Sequence, residues 1–167
     1  MASAEDVIAR APRRLIDLRS PSEFEEDHLP GAQNTPLFDD LERALIGTLY
    51  TRRSPEAAFE EGRARTQAKI ADFCARLAEQ CGWQLPRVDL EQRVERMTAG
   101  GIATLERELA AVPTACGTDA VVLYCWRGGL RSRAVIAFLR GLGFADALGI
   151  QGGYKAYRRC VRERVQA

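Results

Sequence analysis

The segment Ala120-Val121-Val122-Leu123-Tyr124-Cys125-Trp126, running into Arg127-Gly128-Gly129-Leu130-Arg131-Ser132, constrains the fold of this chain more than any other. It opens with the longest apolar stretch in the 167 residues. That stretch is far short of the roughly eighteen apolar residues a membrane span needs, and its length suits a strand buried on both faces. Two glycines end it, and helical spacing resumes from about Arg131 to Arg140. A buried strand that passes through a tight loop into a helix is one half of a strand–helix–strand unit. Such units stack into a parallel sheet with helices on both faces.

The remaining chain is consistent with that architecture. Residues 5–10 predict a short helix, and Leu15-Ile16-Asp17-Leu18 a second buried strand. Ser20-Pro21-Ser22-Glu23 has a helix start: a cap, proline at the first helical position, and a glutamate three residues after the cap. Leu29-Pro30-Gly31-Ala32 predicts a turn, and Asn34-Thr35-Pro36 continues extended. From Asp39 to Leu109 the spacing of Ala, Glu and Arg is helical, with breaks at Ser54-Pro55, Cys81-Gly82 to Pro86, and Gly100-Gly101. Pro113 to Gly117 predicts a loop. Ala147–Ile150 predicts a short strand, and a last helix starts near Tyr154. The helical middle, about 38–116, therefore reads as an insertion into one α/β domain spanning 1–167. No internal repeat or low-complexity segment interrupts it.

Composition bears on function through the placement of charge. The net charge is +1, yet residues 1–61 carry −6 and residues 120–167 carry +7. The basic end comprises Arg127, Arg131, Arg133, Arg140, Lys155, Arg158, Arg159, Arg162 and Arg164 against Asp146 and Glu163. Such clustering suggests an anionic partner near the chain's end. The first twenty residues are rich in charge, so they do not form a secretory signal, and the expected location is the cytoplasm with no membrane contact. Five cysteines, an odd count without a CxxC pair, do not make a disulfide scaffold. One histidine and no cysteine pair leave little to hold a transition metal.

Cys125 is the candidate nucleophile. A loop wrapping from a strand into a helix N-terminus turns successive backbone N–H groups inward, and Gly128 and Gly129 permit dihedrals closed to other residues. Such a cradle stabilises an anion. If the anion is the Cys125 thiolate, its pKa falls toward neutrality and the sulfur becomes a nucleophile. If it is a group bonded to sulfur, the same cradle holds a persulfide, a perselenide or phospho-oxygens. Arg127 and Arg131 add positive charge. The anion-binding loop thus comprises Trp126, Arg127, Gly128, Gly129, Leu130, Arg131 and Ser132. Cys74, Cys81, Cys116 and Cys160 lack this setting and read as structural.

Leu15 to Phe24, with His28-Leu29-Pro30-Gly31-Ala32 and Asn34, resembles the first signature of the rhodanese family, and Gln151-Gly152-Gly153-Tyr154 its closing signature. Cys125 falls where that family keeps its sulfur-carrying cysteine. The resemblance implies a rhodanese-like fold and transfer of sulfane sulfur through a cysteine persulfide. The common rhodanese loop spaces Cys and Arg by four residues. Here Trp126 to Leu130 make five, a spacing that also resembles cell-cycle dual-specificity phosphatases and rhodanese-like arsenate reductases. A narrower resemblance is to bacterial tRNA 2-selenouridine synthases. It rests on Asn34 to Ala44, Gly47-Thr48-Leu49-Tyr50, Cys125-Trp-Arg-Gly-Gly-x-Arg-Ser132 and Gly152-Gly-Tyr-Lys-Ala-Tyr-Arg158. It covers about 14–61 and 120–159 and is poor across 81–116. That family replaces sulfur by selenium in the wobble 2-thiouridine of tRNA, using selenophosphate, and is also associated with a geranylated 2-thiouridine intermediate. The resemblance implies no bound cofactor, with selenophosphate or a sulfane-sulfur donor entering as substrate. The implied partners are tRNA and an upstream sulfur or selenium donor protein. Family members usually continue into a domain with a phosphate-binding GxxxxGK[ST] loop, which this chain lacks, so a separate or missing P-loop domain is a further implied partner.

Other residues carry two readings each. Asp17 and Arg19 could serve the site, or Arg19 could pair with Glu23 to fix the strand–helix turn, the favoured reading. His28 stabilises the turn before Leu29 or acts in acid–base chemistry, and the turn role is favoured. Trp126 stacks on a base or walls off the loop. Arg133, Lys155, Arg158 and Arg159 are candidate tRNA contacts. Arg52-Arg53 is another, or simply a solvated pair. Tyr154 and Tyr157 read as core. Three functions compete: chalcogen transfer on tRNA or general sulfur transfer, a phosphatase or arsenate reductase using the same loop, and a non-catalytic tRNA-binding module. The phosphatase reading lacks an obvious general acid, and Tyr124 stands where such loops place a histidine. The intact Cys125 opposes the non-catalytic reading.

Overall fold

The computed structural model describes residues 3–10, 14–109 and 120–166. The predicted Pro113–Gly117 loop and Cys116 lie outside them. Four strands form one parallel sheet in the order β2-β1-β3-β4, with β1 at Arg14–Asp17, β2 at Gln33–Asn34, β3 at Val121–Tyr124 and β4 at Ala147–Gly149. The helices are α1 (Ala4–Arg10), α2 (Pro21–Glu26), α3 (Asp40–Arg52), α4 (Pro55–Cys81), α5 (Leu90–Thr98), α6 (Gly101–Leu109), α7 (Leu130–Gly141) and α8 (Gly153–Gln166). β3 is central. It pairs Val121–Tyr124 with Arg14–Asp17 on one side and Val121–Leu123 with Ala147–Gly149 on the other.

Side chains along a strand alternate between faces, and β3 buries both. Val121 and Leu123 join Ile16 and Leu18 in a core completed by Ile70, Phe73 and Leu77 of α4, Val94 of α5 and Ile136 and Leu139 of α7. Val122 and Tyr124 face the other way, onto Val7 of α1 and Tyr154 and Cys160 of α8. The helical middle thus shares one layer of the domain with α7, since α4 supplies the centre of the first core.

Local chemistry sets the helix ends. Asp39 caps α3 through a reciprocal pair, Glu42 N–H to Asp39 Oδ1 at 2.8 Å and Asp39 N–H to Glu42 Oε2 at 2.9 Å. Ser54 caps α4 at 3.1 Å with Pro55 at its first position, and Gly82 ends it in the left-handed region at φ 66°. The predicted breaks at Ser54-Pro55, Gly82 and Gly100-Gly101 are the observed ones. β2 differs from expectation: the segment predicted as merely extended pairs with β1 through Ile16–Gln33 and Asp17–Asn34. Two residues leave no apolar alternation to read.

Because all four strands run the same way, their carboxyl ends share one edge. That edge gathers Leu18–Ser20, Thr35–Phe38, Cys125–Gly129 and Ile150–Gly152. In open parallel sheets this is the edge where sites form.

Candidate active site at the carboxyl edge of the sheet

Cys125 follows β3 directly and is buried. Its Sγ lies 3.3 Å from the Ser132 hydroxyl in the first turn of α7, and that hydroxyl lies 3.4 Å from the Gly129 carbonyl. The pair suits either protonation state. A thiol donates to Ser132 Oγ while the hydroxyl donates to Gly129; for a thiolate, the hydroxyl turns and donates to sulfur.

The start of α8 holds the loop. Tyr154 N–H donates to Cys125 O and Lys155 N–H to Trp126 O, both at 3.0 Å. In a trans peptide the C=O and the following N–H point opposite ways. With those two carbonyls anchored on α8, the N–H groups of Trp126 and Arg127 point away from it. Gly128 is left-handed at φ 62° and packs backbone to backbone against Gly153, itself at φ 60°. A Cβ on Gly153 would sit 2.3 Å from Cys125 O and 2.4 Å from Gly128 N; one on Gly128 would sit 2.5 Å from Ile150 O. The closing Gly152-Gly153 pair is therefore the floor of the Cys125 loop. Gly129 keeps a negative φ of −87° with ψ −148°, outside the regular helix and strand regions, and a Cβ there meets nothing within 4 Å, so only Gly128 of the loop pair is left-handed.

Beneath this floor lies a buried polar cluster. Arg19 pairs with Asp17, not with Glu23 as the sequence suggested: Nε and Nη2 donate to the carboxylate at 3.0 and 2.6 Å. Glu23 instead accepts from Ser20 and approaches Arg43 at 3.6 Å. Both carriers of the buried pair are essentially inaccessible, and an arginine so enclosed has its charge compensated locally or not at all. Burial disfavours the guanidinium's charge, but Asp17 outweighs burial and holds the pKa above its ordinary value. Arg19 also donates to Asp27 O at 2.7 Å and lies 3.9 Å from the centre of the Tyr154 ring. Tyr154 Oη bonds the Asp27 carboxylate. Burial and the Asp27 charge push the Tyr154 phenol up to about 12. Asn34 Nδ2 donates to the carbonyls of Asp17 and Arg19, both at 3.0 Å, pinning the exit from β1.

The other named residues fall as follows. His28 stacks on Phe24 and donates from Nδ1 to Phe24 O at 2.9 Å, the turn role. Trp126 is half-buried and tilts against Tyr154 at 5.6 Å, which makes it a wall of the loop. Arg127, Leu130, Arg131, Ser132 and Arg133 run from the loop through the first turn of α7, and Lys155 and Arg158 occupy the start of α8. Arg159 is exposed and 4.0 Å from Glu163. Arg52 and Arg53 are exposed at the end of α3. Burial pushes the Cys74 and Cys81 thiols up to about 11, and raises that of Cys160. A cavity of about 470 Å³ between α5, α6 and α7 is lined by Met97, Leu105 and Phe138, at the end of α7 remote from Cys125. No helix among the described residues is long and apolar enough to cross a membrane.

This loop-and-sheet arrangement matches a known family. The profile of the rhodanese-like domain matches residues 2–160, and the chain belongs to that family. Its fold is the family's parallel α/β fold. Among curated proteins the chain is similar to the tRNA 2-selenouridine synthase of Chromohalobacter salexigens, 34% identical over 160 residues, covering 96% of the chain and 35% of that protein. It is 34% identical over 146 residues to the enzyme of the same name from Shewanella denitrificans, covering 87% of the chain and 30% of that protein. The chain thus spans about a third of the length of these relatives. Among solved structures, the N-terminal domain of a putative ATP/GTP binding protein from Clostridium difficile 630 superposes with a TM-score of 0.62 at 29% identity, covering 88% of this chain and 87% of that one.

Proposed function

We propose that the chain is the rhodanese-like part of a tRNA 2-selenouridine synthase, one domain across 1–167, with Cys125 carrying the chalcogen as a persulfide or perselenide. The observation that carries this reading is the anchoring of the Cys125 and Trp126 carbonyls on α8. It turns the following N–H groups away from α8 and leaves them, with the N-terminus of α7, to stabilise an anion at Cys125. Arg127 and Arg131 supplement the field, and Ser132 Oγ stands beside Sγ. For a sulfane-sulfur donor such as thiosulfate the step is balanced. The thiolate attacks the outer sulfur, the new S–S bond forms as the old one breaks, and sulfite leaves with its electron pair. The basic starts of α7 and α8, with Arg133, Lys155, Arg158 and Arg159, face tRNA phosphates, and a splayed anticodon-loop base reaches Cys125. This reading further implies a P-loop domain and an upstream sulfur or selenium donor protein as partners.

The test is the mass of the protein after incubation with thiosulfate. One added sulfur on a peptide containing Cys125 is expected, lost with cyanide and absent in Cys125→Ala. Sulfur on Cys74, Cys81, Cys116 or Cys160 instead would remove Cys125 as the carrier, and none at all with brisk hydrolysis of p-nitrophenyl phosphate would replace this reading by the phosphatase one.

A further inference from the structure

The buried charges of the site have no place in the chemistry above, yet they are costly to keep. Asp17 and Arg19 are 0 and 1% accessible. Surface pairs would bind as well at less cost, so their burial here calls for a reason. Three elements meet at them. β1 contributes Asp17, the turn after it contributes Arg19, and the α2–β2 connection contributes Asp27. Tyr154 links these to α8: its ring lies over Arg19 and its hydroxyl on Asp27. The same residue's N–H donates to Cys125 O. Tyr124 closes the cluster from β3, one residue before the cysteine, with Leu29 N–H donating to its hydroxyl at 3.3 Å and Arg19 5.9 Å from its ring.

We infer that Asp17, Arg19, Asp27 and Tyr154 form a positioning device for the Cys125 loop. The planar Arg19, locked by two bonds to Asp17, is a platform for Tyr154. Tyr154 in turn sets the height and rotation of the start of α8, and hence the carbonyls on which the loop hangs. In the first turn of α8, Gly153 carries no side chain and Lys155 is exposed, so Tyr154 is the side chain that ties this turn to the buried pair. The inference rests on the proposed reading only in what the loop is for, since the geometry it asserts can be measured by itself. These are positioning residues, and none touches substrate.

Two variants test it. Arg19→Lys keeps the charge and loses the flat fork; Tyr154→Phe keeps the ring and loses the bond to Asp27. Amide hydrogen exchange of Tyr154 and Lys155 is compared with that of Val122 and Leu123 in the same protein, and the pH profile of Cys125 alkylation by iodoacetamide is recorded. Both variants should speed exchange at Tyr154 and Lys155 more than at β3, Arg19→Lys the more. Alkylation at pH 7 should slow in Arg19→Lys by up to about thirtyfold, the loss of thiolate when a thiol returns to a pKa near 8.5. Equal loosening of all four amides, or an unchanged profile with merely lowered Tm, would overturn the positioning role. A wild-type Cys125 no more reactive than a free thiol, with the two amides still selectively loosened in the variants, would sink the proposed function and leave this inference standing. Should Arg19→Lys fail to fold, Tyr154→Phe decides alone.

Discussion

The two faces of the sheet are built from different chemistry. Toward α4, α5 and α7 the strands present Ile16, Leu18, Val121 and Leu123 to an apolar layer of Ile70, Phe73, Leu77 and Leu139. Toward α1 and α8 they present Val122 and Tyr124, and the layer there includes Tyr154 over the Asp17–Arg19 pair. Apolar contacts tolerate repacking and are non-directional. Hydrogen-bonded charges fix angles as well as distances. The comparison teaches a division of labour: the first face contributes stability, and the second holds Cys125 and its loop in place.

The sharpest way to break this division is Gly153→Ala. The new Cβ would need space 2.3 Å from Cys125 O and 2.4 Å from Gly128 N, on a backbone at φ 60°. The left-handed conformation alone costs about 1–2 kcal/mol, and the loop must also lift off α8. Cys125 alkylation at pH 7 should fall by up to about thirtyfold, to the rate of an unactivated thiol, measured on protein whose near-ultraviolet dichroism remains native. A reactive Cys125 in this variant would mean the floor of the loop is not what aims it. Leu77→Ala makes the complementary test on the apolar face, where the side chain is 1% accessible. Urea unfolding should report a loss of about 2–5 kcal/mol, with the Cys125 alkylation profile of the still-folded protein unchanged. A changed profile would show that the two faces are coupled.

Much of this was legible in the sequence where a local rule operates. The Val121–Tyr124 strand, the capped start at Ser20-Pro21, and the breaks at Ser54-Pro55 and Gly82 each depend on residues a few positions apart. The loop from Cys125 to Ser132 was legible for the same reason. What was not legible depends on contacts across the fold. Arg19 has an acid two residues before it and another four after, and nothing in the chain order says which it chooses; Asp17 is taken because both leave β1 into the same buried pocket. The role of Gly153 needed the loop from 25 residues earlier to be laid against it. Tyr154 was correctly read as core, but its backbone bond to Cys125 and its stacking on Arg19 come from pairing β1, β3 and α8.

The smallest expected effect concerns charges on the outside of the apolar face. Glu42 of α3 accepts from Asp39 N–H, pairs with Lys69 of α4 and lies 3.6 Å from Arg65. Partial burial works against its charge, but Lys69 and the Asp39 N–H outweigh it and hold the carboxyl below its usual 4.5. A carboxyl held lower in the folded chain than in the unfolded one adds stability that is complete above the unfolded value and disappears as pH falls through the folded one. Urea midpoints of the wild type should therefore fall as pH drops below about 4.5, and Glu42→Gln should flatten that limb while costing about 0.5 kcal/mol at pH 7, the scale of a partly exposed pair. The Cys125 alkylation profile should not move, because this pair joins α3 to α4 and touches neither α8 nor the loop. An acid limb as steep in Glu42→Gln as in the wild type would transfer the titration to other carboxylates. Asp40, whose carboxyl the Ser22 hydroxyl holds below its ordinary value, would then be the first to examine.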